Sequence, residues 1–309
     1  MPWGPDGTAG ITPRTAIWTF PDDPEVNSPS RWRPNMDMNL INPIDRDALG
    51  TKIRNAQPFP HFCIDNFLNV DFANEVCDSF PDYQGAKAIG REFSGVNENY
   101  KIQITDSTRF PPAIARLSAL LASQEFLDMW SDLIGIPDLL ADPDLIGGGI
   151  HETNSGGRLD VHVDFNFMEK RQWHRRLNIL IYFNRDWKED YGGYLDIWDK
   201  DVKKCYGSFA PIFNRACGFA TSEISFHGVR PLTCPPTIAR KSFATYYYTQ
   251  EPPPHWNGHA HSTIFKARPD EWMRGHVLMP AESTVAHAKQ GLRKVKRAMK
   301  KLVGKPSDH

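Results

Sequence analysis

Leu159-Asp160-Val161-His162-Val163-Asp164-Phe165 alternates apolar and polar side chains, the period of a half-buried β-strand. Successive strand side chains point to opposite faces, so His162 and Asp164 share a face with Asp160, while Val161, Val163 and Phe165 take the other. The same texture continues on both sides. Leu145–Glu152 precedes this run, and Leu177–Phe183, Gly193–Trp198, Ile212–Thr221, Glu223–His227 and Ser242–Thr249 follow it, parted by Gly, Asn, Asp and Pro. Such a series of short antiparallel strands predicts a two-sheet jelly roll, a double-stranded β-helix, over about residues 144–250. Ahead of it, Phe59–Leu68 alternates like a strand. Val70–Phe80 reads as a helix stopped at Pro81, and Phe110–Ile136 as two helical stretches. The expected fold class is therefore α+β, mainly β: a jelly-roll core with helices from the N-terminal half packed on one side.

Three regions follow. Residues 1–56, rich in Pro and Asp/Asn turns, read as an extended N-terminal arm; 57–252 form the main domain; 253–309 form a C-terminal extension. The extension ends in a segment from Ala286 to His309 with eight Lys/Arg against one Asp, and Leu292, Val295, Met299 and Leu302 lie on one helical stripe. This basic amphipathic helix either docks on the body or meets an acidic partner or membrane surface.

Composition narrows the class. A formal net charge of -1 on 309 residues argues against a general nucleic-acid binder. No apolar run approaches the length of a membrane span, and the first residues do not read as a signal peptide. Five widely spaced cysteines without a CxxC pair argue against a zinc knuckle or a disulfide framework, and fit a cytoplasmic protein.

His162-x-Asp164 is not decisive alone, because 11 His and 25 Asp in 309 residues give about one such step by chance. Its strand context matters more. A His and a carboxylate projecting together supply two legs of a 2-His-1-carboxylate facial triad, which holds iron(II) and leaves positions open. Ser222-Glu-Ile-Ser-Phe-His227-Gly reads as a strand ending at His227, the candidate third ligand. His255, His259 and His261 compete, but they lie in a Pro/Gly/Asn loop. Arg240 begins the last strand, 13 residues beyond His227, and its planar fork suits a carboxylate.

Five motifs in this order resemble the prolyl 4-hydroxylase-like branch of the 2-oxoglutarate/iron(II) oxygenases. They are His162-x-Asp164, Arg176-Leu-Asn-Ile-Leu-Ile-Tyr-Phe-Asn-Arg-Asp-Trp187, Gly192-Gly-Tyr-Leu-Asp-Ile-Trp198, Ser225-Phe-His227-Gly and Arg240-x-Ser-x-Ala-x-Tyr. Phe59-Pro-His-Phe-x-Ile-Asp-Asn-Phe-Leu also resembles the strand that opens such domains, so the likeness covers about three-fifths of the chain.

The resemblance implies Fe(II) on His162, Asp164 and His227, with 2-oxoglutarate and O2 as cosubstrates and ascorbate as a reductant. It implies that Arg240 and Tyr182 hold the distal carboxylate of 2-oxoglutarate, with Asn178, Leu180 and Leu195 lining its cavity. The insert Thr233-Cys-Pro-Pro-Thr leaves Lys241 and Arg230 as alternatives to Arg240. His151, Ser242, Tyr246 and Trp198 are further candidates for the lining. Residues 85–108 and Trp173–Arg175 are read as loops that reach the cavity mouth. The implied reaction is hydroxylation of an unactivated C–H bond, in a prolyl residue or a small metabolite, with decarboxylation of 2-oxoglutarate to succinate. Two other classes stay open: a metal-dependent non-oxygenase on a cupin-like barrel, and a binding module with a vestigial site.

Overall fold

The computed structural model describes residues 37–254 and 256–271. In chain order its elements are α1 (Arg46–Arg54), β1 (His61–Ile64), α2 (Val70–Ser79), α3 (Tyr83–Ile89), β2 (Arg91–Ser94), β3 (Glu98–Ile104), α4 (Pro112–Leu121), α5 (Gln124–Ile134), β4 (Leu140–Ala141), β5 (Gly149–Val163), β6 (Phe167–Met168), β7 (Trp173–Tyr182), β8 (Leu195–Trp198), β9 (Cys205–Phe209), β10 (Arg215–Ala220), β11 (His227–Val229), β12 (Arg240–Thr249) and β13 (Ile264–Lys266). The main path of the sheet runs β1-β10-β7-β12-β5-β11-β8-β9. Every pairing among the described strands is antiparallel. This is the jelly roll that the strand series predicts.

β5 joins the two halves. Its first part, Gly149–Thr153, pairs with β12, and its last part pairs with β11, with His162 opposite His227. Between them the pairing with β3 shifts register, and Gly156 takes a positive φ of 78°. A bend of this kind lets one strand serve two sheets.

Among the described residues, the helices pack on one face of the sheet. Leu177, Ile179 and Ile181 of β7 and Phe243 and Tyr247 of β12 point toward them, into one core with Leu117, Leu120, Phe126, Trp130 and Leu133. Phe62 of β1 stacks on Trp130 at 4.4 Å, and the Tyr247 hydroxyl donates to Leu121 O at 2.9 Å. The alternate residues of β7, Asn178, Leu180 and Tyr182, then face the barrel interior. Sequence dictates the helix ends as well. Ser123 Oγ caps α5 by accepting from Phe126 N, and Gly135 closes it in the left-handed conformation. No helix among the described residues is long and apolar enough to cross a membrane.

Several expectations need correction. The arm expected over 1–56 lies outside the described residues up to 36. Beyond that it holds α1, whose Ile53 is fully buried, so it is not extended throughout. The segment 85–108 is no irregular loop: β2 and β3 form a hairpin, and β3 pairs with β5. β9 was not expected. His227 opens its strand instead of ending it, because Ser222–Ser225 close a turn through Ser225 Oγ. The main domain also extends past residue 252, since β13 pairs with β5 beside His162. The basic helix expected near the C-terminus lies outside the described residues.

Candidate metal centre

His162 lies one residue from the end of β5, and Asp164 lies just past it, not on it. His227 sits directly opposite His162 on β11. Both imidazoles are buried, with ring centroids 4.2 Å apart. Each points Nδ1 at a backbone carbonyl two residues back, His162 at Asp160 O and His227 at Ser225 O, both at 2.9 Å. With Nδ1–H donating there, each Nε2 keeps its lone pair for the centre, which is how metal-binding imidazoles are oriented. Asp164 Oδ1 lies 3.5 Å from His162 Nε2, and Oδ2 lies 3.5 Å from His227 Nε2.

Three ligand atoms from His162, Asp164 and His227 fall within 4.8 Å of one another, the one such group among the described residues. Two imidazole nitrogens and one carboxylate oxygen are the donor set of a mononuclear iron(II) site. The electrostatics agree. Burial would raise the Asp164 carboxyl, but Arg175 and the two imidazoles outweigh it and hold it well below the usual carboxylate range. Burial, helped by His162, pushes the His227 imidazole down to about 3. The residues present thus fit the metal that the donor set implies.

A cavity of about 210 Å³ opens over these ligands. At its inner end stands Arg240, buried, at the start of β12. Its Nε donates to Gly193 O at 2.8 Å, and its Nη2 donates to the Tyr182 hydroxyl at 3.2 Å. Gly192 and Gly193 both have positive φ, 65° and 68°, which explains the Gly-Gly step: only glycine takes this turn readily. Burial keeps Tyr182 a phenol by pushing its pKa up. Leu180, Leu195 and Asn178 line the cavity, and Phe219 packs on the His227 ring at 4.2 Å. Neither alternative cation reaches the cavity. Lys241 lies over the Phe80 ring at 5.8 Å, on the helix side, and Arg230 donates to Asp196 Oδ2 at 2.8 Å.

The remaining expected residues divide. His151 is buried in the lining, its Nε2 3.0 Å from Gly147 O and 3.3 Å from Gln103 Nε2. Tyr246 also lines the cavity and donates to Gly147 O at 3.0 Å. Tyr182 stands behind Arg240 without lining the cavity. Ser242 is fully buried and also off the lining. Trp198 faces away, against Val161, Val163, Val202 and Phe226. Of the competing histidines, His261 pairs with Glu223, His259 is outside the ligand group, and His255 lies outside the described residues.

Three further contributors complete the lining, and two of them come from the segments expected at the cavity mouth, 85–108 and Trp173–Arg175, which are strands and not loops there. Arg175 is buried in the lining, 3.2 Å from Asp164 Oδ2. Phe93, Glu98, Lys101 and Gln103 of the β2–β3 hairpin form another wall. Thr263 and Phe265 close a third side, with the Phe265 ring 5.3 Å from that of His162.

Comparison with known proteins is consistent with this geometry. Residues 148–248, which span β5 to β12 and hold all three ligands and Arg240, match the family model of the 2OG-Fe(II) oxygenase superfamily. No curated protein matches. Among solved structures, a Trichoplax adhaerens prolyl hydroxylase in complex with a hypoxia inducible factor peptide fragment is 19% identical at a TM-score of 0.49, over 66% of this chain and 91% of its own. A Pseudomonas putida prolyl-4-hydroxylase is 15% identical at 0.48, over 66% and 99%. The viral collagen prolyl hydroxylase of Paramecium Bursaria Chlorella virus-1 is 13% identical at 0.41, over 61% and 96%. The matched segment carries the complete ligand set and Arg240, and over these residues the chain is similar to the 2OG-Fe(II) oxygenase superfamily.

Proposed function

We propose that this chain is a hydroxylase of the prolyl 4-hydroxylase-like branch, acting on an unactivated C–H bond of a prolyl residue or a small metabolite. The observation that carries this reading is the convergence of the His162, Asp164 and His227 ligand atoms in a cavity that also holds buried Arg240. The overall reaction balances as substrate C–H, 2-oxoglutarate and O2 giving substrate C–OH, succinate and CO2. Bound together, iron(II) and 2-oxoglutarate supply the oxidising chemistry that no side chain here provides.

The protein's own residues bind, orient and exclude water. His162, Asp164 and His227 would hold the iron beside the cavity. Arg240, oriented by Gly193 O and the Tyr182 hydroxyl, would receive the distal carboxylate of 2-oxoglutarate. Leu180 and Leu195 give the cavity apolar lining, and a less polar surrounding strengthens such a charge pairing. His151 stays neutral, because burial and then Lys101 push its pKa well down, so it can hydrogen-bond without adding charge.

The test is succinate release from 2-oxoglutarate, with Fe(II) and ascorbate, across prolyl peptides and metabolites, with His162→Ala as control. Substrate-stimulated succinate that disappears in the variant supports the reading. Turnover that survives His162→Ala sinks it.

A further inference from the structure

Asp164 is the weakest-placed of the three ligands by backbone alone. It lies beyond the end of β5, where no strand pairing fixes its torsions. Its side chain is instead gripped from β7. Asn178 Nδ2 donates to Asp164 Oδ2 at 2.7 Å, and Arg175 Nη2 approaches the same oxygen at 3.2 Å. Arg175 and Asn178 also lock each other, through Arg175 Nε donating to Asn178 Oδ1 at 2.9 Å. The guanidinium is sandwiched, 3.7 Å from the Tyr246 ring centre and 4.7 Å from that of Phe165. Arg175 is only 4% exposed, so the pair is shielded from water and salt.

Both donors fall on Oδ2, and Oδ1 accepts neither bond. We infer that Arg175 and Asn178 are positioning residues that occupy Asp164 Oδ2, so that the carboxylate offers the metal Oδ1 alone. A chelating carboxylate would take a second coordination position. One-oxygen binding keeps open the three positions that a bidentate cosubstrate and O2 need together. This gives Asn178 a different task from the cosubstrate contact that the sequence resemblance implies. It also requires arginine at 175. A lysine keeps the charge but loses the planar fork that reaches Asp164 and Asn178 at once and stacks between two rings.

The inference rests on the metal centre proposed above, and the test separates the two. Mn(II) binding to the apoprotein is titrated calorimetrically for the wild type, His162→Ala, Arg175→Met, Arg175→Lys and Asn178→Leu, with thermal melts on each. The absorption band of the anaerobic Fe(II)·2-oxoglutarate complex is recorded alongside. Wild-type binding that vanishes in His162→Ala establishes the centre, and its absence defeats the function proposal itself. Given that centre, Arg175→Met is expected to weaken Mn(II) binding by about 10- to 100-fold, as loss of a ligand-orienting partner does. Arg175→Lys recovers part of it, Asn178→Leu weakens it by a smaller factor, and the absorption band shifts in Arg175→Met. Mn(II) affinity within about threefold of wild type in folded Arg175→Met, with an unmoved band, overturns the inference. If Arg175→Met does not fold, wild-type affinity and an unmoved band in both Arg175→Lys and Asn178→Leu overturn it equally.

Discussion

Glu152 of β5 and Lys241 of β12 are direct cross-strand partners, yet neither Glu152 carboxylate oxygen has a hydrogen-bond partner among the described residues. Glu152 is fully buried. Burial raises its pKa from 4.5 to about 7, against the pull of Lys241 and with a further push from Asp82. The folded protein therefore binds a proton here more tightly than the unfolded chain does. Stability must fall as pH rises from the unfolded value through the folded one, and the penalty is complete above about pH 7. In full it amounts to about 3 kcal/mol, of which about 2 kcal/mol accrues between pH 5.5 and 8. Glu152→Gln removes the charge and keeps the shape. Urea unfolding at both pH values should show the variant gaining on wild type by that amount at pH 8. A gap that stays constant with pH would count against a buried ionising Glu152.

The distal-carboxylate anchor can be separated from the metal. Arg240→Met should raise the apparent KM for 2-oxoglutarate by about 10- to 100-fold, the worth of a charge-assisted hydrogen bond. Mn(II) affinity should stay within about twofold. Lys241→Met and Arg230→Met should leave the KM unchanged, since their cations point elsewhere. Gly193→Ala should act in the same direction as Arg240→Met. Its Cβ would lie 3.1 Å from Arg240 Cδ at a positive φ that alanine resists. Steady-state kinetics with 2-oxoglutarate varied check all four, and an unchanged KM in Arg240→Met would remove the anchor assignment.

What was legible in the sequence was chemistry carried by local pattern. The seven-residue alternation placed His162 in a buried strand, and the Phe-His-Gly step picked out His227. Arg175 was read only as part of a loop at the cavity mouth, and its contact with Asp164 was not legible, for a specific reason. Counting back from inward-facing Asn178 by twos reaches Arg176. β7 and β12 slip register there: Leu177 pairs with Tyr247, but Arg175, not Arg176, pairs with Tyr248. That one-residue bulge turns Arg175 into the cavity and sends Arg176 to Thr249. β13 was hidden differently. Three residues among Pro, Gly, His and Ser give too short a run for any period to show. The same limit blurred Asp164, whose place on the shared face comes from Arg175 and Asn178, not from strand alternation.

Cys63 and Cys217 are cross-strand partners on β1 and β10, and Cys217 packs with Tyr182 and Leu195 at the foot of the anchor. A hydrogen bond from Cys217, and then Arg215, lower the Cys63 thiol, while burial raises that of Cys217. Cys63 is therefore the expected nucleophile toward hydrogen peroxide. Its thiolate takes one oxygen as the O–O bond breaks, and the Cys217 sulfur then displaces water to leave a disulfide. Mild peroxide should remove two of the five free thiols and lower the mass by about 2 Da. Peptide mapping that shows any other linkage first, or thiol loss unchanged by Cys63→Ser, contradicts this order of reactivity.

The C-terminal strand gives the last prediction. β13 pairs with Val161–Val163 and sets Phe265 against His162, while Lys266 donates to Lys200 O and Arg268 to Val229 O. Arg158 bridges Asp160 and Glu271 in the same region. The wall is thus tied down, and Phe265 faces the cavity beside Thr263. Phe265→Ala should open that side to water without removing a ligand. Mn(II) affinity should change by less than about threefold. Succinate formed without added substrate should rise severalfold, because a wet site loses the control that exclusion of water provides. Measuring succinate in the absence of substrate, beside Mn(II) titration, decides it. A variant whose substrate-free turnover matches wild type would show that β13 braces the sheet and does not seal the cavity.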